Sequence, residues 1–216
     1  MLRPEPGASR TAARARARGL DVLVRPLFEV RGVAWTPPAP AGFDGLLLTS
    51  AAALRHAGPG LDALRRLPVV AVGRETARAA EEHGLAVVVT GDAGAERALH
   101  LARARGLSRL LHLAGRDRMP DHAGVEPVIV YASEPLPIEP GWTAVLAGGR
   151  AALLHSARAA ARLAELVDRD RTPRAAVSLL ALGPAVLAVV GGGWASARAA
   201  VRPTDDALLD LVAPAD

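Results

Sequence analysis

The sequence has no cysteine and no lysine, one tyrosine, two methionines and only 3% aromatic residues. Without cysteine there is no disulfide framework, no thiolate metal site and no cysteine nucleophile. The six histidines, His56, His83, His100, His112, His122 and His155, show no paired metal-ligand spacing. Gly191-Gly192-Gly193 lacks the register of a dinucleotide-binding loop. The N-terminus has no long apolar stretch of the signal-peptide kind, which makes the cytoplasm the expected location.

What is present is arginine. All 26 basic residues are arginines, against 22 acidic residues, a formal net charge of +4 in 216 residues. The pI of about 10.9 overstates this excess, because almost nothing titrates between neutrality and the arginine range. A charge of +4 favours soluble anionic partners over cationic ones. Nucleic acid is not expected: Arg14, Arg16 and Arg18 spread over a helix surface with no aromatic interleaving, as a solvated face does. Half of the residues are hydrophobic, enough for cores and too many for a disordered chain.

The longest uncharged run, Ala175 to Ala197, has the length of a membrane span. Gly183-Pro184 and the triple glycine break it, so it reads as a buried strand, a turn and a short helix, and no membrane partner is expected.

Short apolar runs alternate with Ala/Arg/Glu/Leu stretches of helical spacing, the pattern of a parallel α/β fold. Strands are expected at Asp21 to Arg25, Gly45 to Leu48, Val69 to Val72, Ala86 to Val89, Arg109 to Leu113, Pro127 to Tyr131, Ala152 to Leu154, Val177 to Leu180 and Ala197 to Val201. Helices are expected at Ser9 to Arg18, Ala51 to His56, Glu75 to His83, Ala95 to Arg105, Ala157 to Asp168, Ala185 to Val190 and Asp205 to Val212. Two proline-rich breaks read as linkers, 34–40 and 132–137. They place one domain at 41–131 and combine the flanks, 1–33 and 138–216, into a second, with a hinge and a cleft between the two.

The halves echo each other. Leu46-Leu47-Leu48-Thr49-Ser50-Ala51 and Val70-Ala71-Val72-Gly73-Arg74-Glu75-Thr76-Ala77 are matched by Ala152-Leu153-Leu154-His155-Ser156-Ala157 and Leu180-Ala181-Leu182-Gly183-Pro184. In each, a strand ends in a small or hydroxylated residue at a helix start, where unpaired N–H groups and the helix dipole favour anions. Ser50 and Ser156 fit two roles, plain N-caps or contacts to an anionic ligand.

In their order and spacing, Leu48-Thr49-Ser50, Val72-Gly73-Arg74-Glu75-Thr76-Ala77, Val130-Tyr131, His155-Ser156 and Leu182-Gly183-Pro184 resemble the uroporphyrinogen-III synthase family. Arg3-Pro4 and Arg202-Pro203-Thr204-Asp205-Asp206-Ala207-Leu208-Leu209 fit as well, so the resemblance spans essentially the whole chain. It implies two similar parallel-sheet, flavodoxin-like α/β domains joined by two linkers over a cleft. It also implies cyclisation of hydroxymethylbilane to uroporphyrinogen III, with inversion of the terminal pyrrole and loss of water. The expected enzyme is a monomeric lyase with no cofactor, whose one possible partner is a transient contact with the preceding pathway enzyme.

Tyr131 then becomes the expected proton donor, a phenol that stays protonated at neutral pH; packing of the hinge is its other reading. Thr49, Ser50, Gly73, Thr76, Gly115, Ser156 and Gly183 are the expected substrate contacts, with Arg3 and Arg116 as carboxylate clamps; Arg116 also fits a solvated loop charge.

Three features depart from the family. Only Met1 and Leu2 precede Arg3, where a full strand is usual. Val186 replaces a threonine. Met119-Pro120-Asp121-His122-Ala123-Gly124 stands where a helix is expected. These departures leave room for a catalytically weakened relative that binds a tetrapyrrole or another polyanion without turnover.

Overall fold

Nine short strands and seven helices make up the computed structural model, which describes residues 1–92, 94–118 and 122–212. Backbone contacts divide the chain into two compact units, one of Met1–Glu29 with Glu134–Asp216 and the other of Val30–Ser133.

The contiguous unit is built on a six-stranded sheet, of which the first two residues of β1 and the last two of β6 fall in the other unit. Its strands are β1 (Phe28–Gly32), β2 (Gly45–Leu48), β3 (Val69–Ala71), β4 (Val87–Thr90), β5 (Leu110–Gly115) and β6 (Val125–Pro135), in the order β1-β6-β5-β2-β3-β4. The pairings β6–β5, β5–β2, β2–β3 and β3–β4 are all parallel. Helices α2 (Ala51–His56), α3 (Arg74–Glu82) and α4 (Ala95–Arg103) follow β2, β3 and β4. The central strands are continuous Leu/Val/Ala runs because a parallel sheet is covered on both faces. Alternate residues serve two cores: Leu46, Leu48, Val69, Ala71, Leu111 and Leu113 on one side, Leu47, Val70, Val89 and Leu110 on the other. Leu46, Leu47 and Leu48 are at most 1% exposed, and each contributes about 1.5–3 kcal/mol by burial.

The unit made from both chain ends has three parallel strands, β7 (Ala151–Leu154), β8 (Ser178–Ala181) and β9 (Ser196–Ala199), in that order. Helices α1 (Gly7–Ala17), α5 (Ala157–Arg169), α6 (Pro184–Leu187) and α7 (Asp205–Leu209) belong to it. One core packs α5 with Leu154, Leu179 and Phe28. Another joins Met1, Ala8 and Ala15 to Leu153, Leu180, Leu208 and Leu209.

Three expectations change. Asp21 to Arg25 is not a sheet strand: among the described residues its backbone pairs with Met1, through Met1 N to Leu23 O at 2.8 Å and Arg25 N to Met1 O at 2.9 Å, and just beyond it Leu27 N donates to Leu2 O at 3.1 Å. Two residues are too few for a ladder. Conversely, Phe28–Gly32 is a strand, and β6 runs on through Ser133, Glu134 and Pro135, which the prolines had marked as linker. Pro135 is its last residue, where a missing N–H breaks no interior ladder bond.

The Ala175 to Ala197 run contains β8, α6 and a glycine turn, and among the described residues no helix is long and apolar enough to cross a membrane. Two of the arginines at α1 find carboxylates at α7: Arg18, just past the end of α1, reaches Asp206 at 2.9 Å and Asp210 at 2.8 Å, and Arg14 reaches Asp206 at 3.8 Å, while Arg16 donates to Val22 O at 3.2 Å. Of the segment expected to lack a helix, Met119, Pro120 and Asp121 lie outside the described residues, while Ala123-Gly124 is a turn.

Candidate functional site

In the contiguous unit the parallel strands bring their carboxyl ends to one edge of the sheet. β2 stops at Leu48, and Ser50, in extended conformation, caps α2 by accepting a hydrogen bond from Ala52 N at 3.1 Å. Leu48 is paired with Ala71, so the next turn lies alongside. There Gly73 starts α3 with no side-chain cap, and Thr76 is buried in the first turn at 6% exposure. On the other side of β2, β5 ends at Gly115, which a register shift pairs with Tyr131 of β6. Thr49, Ser50, Gly73, Thr76, Gly115 and Tyr131 therefore share one sheet edge. Arg116 joins them through its backbone, N donating to Tyr131 O at 2.9 Å.

Tyr131 is half-buried against the core. Its ring lies directly over Gly115: a Cβ built there would sit 2.7 Å from Tyr131 Cε2 and Cζ and 3.0 Å from the hydroxyl. Any larger residue would displace the phenol. Burial raises the Tyr131 pKa above its usual 10, opposed by a hydrogen bond from the Ser50 side chain and by the positive charge of Arg55. The phenol is protonated at neutral pH, and the groups that would steady its anion are in place. His56 lies beside it, ring centroids 6.4 Å apart, its own pKa lowered by burial and then by Arg55.

Next to the phenol is a cavity of about 190 Å³, with Leu47, Val72 and Val125 on its walls and Thr49, His112 and Tyr131 among its polar groups. Thr49 Oγ1 is 3.0 Å from His112 Nε2. Sequence reasoning missed His112, since a lone histidine in the run Leu110-Leu111-His112-Leu113 carries no motif. Its one signal was a polar residue at a position the strand pattern buries.

The split unit repeats the arrangement at the ends of β7 and β8. Ser156 caps α5, accepting from Ala159 N at 3.2 Å. Gly183, also extended, starts α6 with Pro184 at the first position. Leu154 is paired with Ala181, so the two turns adjoin. Val186 packs on the unit's core, where its methyl groups suit the site better than a hydroxyl would.

Arg3 is occupied. Its Nη1 donates to Asp205 Oδ1 at 3.1 Å and to Thr11 Oγ1 at 3.3 Å, while Thr11 Oγ1 donates to Asp205 Oδ2 at 2.6 Å. His155 Nε2 approaches Asp205 Oδ1 to 3.3 Å, yet neither buried ring nitrogen makes a well-aligned hydrogen bond. Burial, then the Arg3 charge, lowers the His155 pKa to about 4 against the pull of Asp205, so the ring is neutral.

A larger cavity in this unit, about 490 Å³, lies at the opposite end of β7 among Met1, Leu20, Trp142 and Leu153, and touches none of the expected site residues. Among the described residues no three His, Asp or Glu side chains are grouped to hold a metal ion.

The fold and these strand ends define a class: an α/β protein of two compact units, each displaying helix N-termini at one edge of a parallel sheet, with a protonated phenol at one of those edges. The model of the family described as uroporphyrinogen-III synthase HemD matches residues 9–210, and the chain belongs to that family of haem-biosynthesis enzymes. Among solved structures it is similar to uroporphyrinogen-III synthetase from Helicobacter pylori, at 16% identity with a TM-score of 0.63, covering 89% of this chain and 94% of that one. It is similar also to a mutant uroporphyrinogen III synthase from the extremely thermophilic bacterium Thermus thermophilus, at 19% identity with a TM-score of 0.53, covering 97% of each chain. At these identities the structures speak for the fold. A search of curated proteins gave no significant match.

Proposed function

We propose that this protein is a cyclising hydro-lyase that converts hydroxymethylbilane to uroporphyrinogen III. The family match over residues 9–210 carries the reading, and the site supplies a chemistry consistent with it.

Ring closure begins when the terminal hydroxymethyl C–O bond breaks. The adjoining pyrrole nitrogen pushes electrons toward that carbon, and the departing hydroxyl needs one proton to leave as water. Tyr131 supplies it. The phenolate left behind is steadied by the Ser50 side chain and Arg55. For the last pyrrole to invert, the α-carbon that already carries the chain bonds the new cationic carbon, its older bond to the chain methylene breaks, and that methylene bonds the pyrrole's free α-carbon, whose proton returns to the phenolate. No cofactor takes part. Holding the ends of a linear substrate together is worth more than any single acid, because bringing reacting centres into register can remove about 7–11 kcal/mol of the barrier.

In this reading the helix N-termini after Ser50, Gly73, Ser156 and Gly183, with Thr49, Thr76 and the backbone at Gly115 and Arg116, receive the substrate's carboxylates. Arg3, already neutralised by Asp205, acts by holding the α7 start in place and turns to substrate only if a carboxylate displaces Asp205. The enzyme works as a monomer in the cytoplasm, taking its unstable substrate from the preceding reaction.

Freshly made hydroxymethylbilane incubated with the protein, followed by separation of the porphyrinogen isomers, tests the activity. Isomer III in excess is expected. Only the spontaneously formed isomer I, even with tight binding of uroporphyrinogen, would overturn it.

A further inference from the structure

Every residue of β5 is buried, yet one of them is a histidine. Leu111 and Leu113 point into one core and Leu110 into the other, and the strand's alternation puts His112 on the Leu110 side, 9% exposed and paired in register with Leu47. A polar ring in such a place is costly unless its nitrogens are bonded. Nε2 is, at 3.0 Å from Thr49 Oγ1, and the ring borders the 190 Å³ cavity that Tyr131 also lines.

That cavity is smaller than the pockets of about 300–1,000 Å³ that enclose whole small ligands, so it fits one arm of a larger molecule. Its apolar walls suit a methylene stem. Its polar end offers Thr49, His112 and His122, while Asp117 and Arg118 bring opposite charges.

We propose that this cavity is the subsite for one carboxyalkyl arm of the substrate, with the His112 Nε2–H donating to Thr49 Oγ1 and the Thr49 hydroxyl donating to the arm's carboxylate. The tautomer decides the sign. With the proton on Nε2, the threonine hydrogen is free to point at an anion; with it on Nδ1, the threonine must donate to the histidine and turns lone pairs toward the carboxylate. His112 is thus a positioning residue acting through Thr49, and the arm it seats reaches the strand-end edge that Tyr131 also lines. The inference rests on a polycarboxylate substrate, as proposed above.

Anaerobic calorimetry with uroporphyrinogen III tests it. Thr49→Val and His112→Phe should each weaken binding about tenfold, the scale of a hydrogen bond to a charged group. The double variant should be no weaker than either single one, because one chain of bonds is being cut twice. His112→Gln, which keeps an N–H donor, should restore most of the affinity. Losses that multiply in the double variant, or a His112→Gln protein as weak as His112→Phe, overturn the proposal.

Thermal melts identify any variant that does not fold. For that case, nitrogen-15 histidine spectra of the wild-type protein give an independent reading: His112 must carry its proton on Nε2 in the complex, and Nδ1 alone overturns the proposal. Multiplying losses in the double variant, with a wild-type protein that makes isomer III, sink only this inference; a wild-type protein that does not bind the porphyrinogen sinks the polycarboxylate reading with it.

Discussion

Tyr131 and Gly115 form a single device, since the phenol keeps its position only while nothing stands on the Gly115 Cα. Tyr131→Phe should lower the rate of isomer III formation about 10²-fold, within the usual range for a lost general acid, and leave KM nearly unchanged. Turnover equal to wild type in the same assay would demote the tyrosine to a packing residue. Gly115→Ala is the companion test. The added methyl meets the ring at 2.7 Å, so it should reproduce much of the rate loss while lowering the urea-derived stability by no more than overpacking does, about 1–3 kcal/mol.

His155 gives the residue scale a pH signature. Its pKa is lowered from 6.5 to about 4 in the folded chain, so on acidification the unfolded chain takes up the proton first and folding is penalised. The stability associated with the neutral ring is complete above pH 6.5, falls as the pH drops from there to about 4, and amounts to at most about 3 kcal/mol. Urea unfolding across that window should show a steeper loss for the wild-type protein than for His155→Leu, the two curves running parallel below pH 4. Equal slopes between pH 6.5 and 4 would contradict the burial seen here.

Elements explain what could be read in advance. Gly45 to Leu48 and Val69 to Val72 were legible because strands covered on both faces must be apolar throughout, and alanine-rich α3, α4 and α5 because nothing in them resists a helix. Phe28–Gly32 was not, since Glu29 and Arg31 interrupt its apolar residues and its burial falls off along its length. Asp21 to Arg25 misled for the opposite reason: Val22, Leu23 and Val24 look like a strand, but among the described residues the segment's backbone pairs with Met1.

Of the candidate site, the turns at Ser50 and Ser156 announced themselves as helix starts. The occupation of Arg3 by a carboxylate 202 residues away and the seat of His112 beside Thr49 depend on tertiary neighbours that no local pattern encodes. Ser156 tests the capping account: Ser156→Ala should cost about 1 kcal/mol, read from denaturant unfolding, because α5 loses its hydrogen bond to Ala159 N. A stability unchanged to within a few tenths would show that the first turn of α5 is held by packing alone.

At the scale of the whole molecule, each unit has its own core, and one of them is a single stretch of chain. A protein consisting of residues 28–135, with β1 through β6 complete, should fold cooperatively by itself; a non-cooperative melt would show that its stability is borrowed. The other unit cannot be cut out so simply. Its core joins Ala8 and Ala15 of α1 to Leu153, Leu180 and Leu208, and its ends are fastened by Arg3 to Asp205.

That fastening sets a timetable for synthesis. The first helix leaves the ribosome with nothing to pack on, and the middle of the chain can complete its six-stranded sheet while α1 still waits. Only when α7 emerges can Asp205 capture Arg3 and close the earlier-made half of this unit around the later one. Arg3 is thus made 202 residues before the carboxylate that fastens it, and a ribosome stalled before Asp205 would hold one mature sheet and a unit that has yet to form.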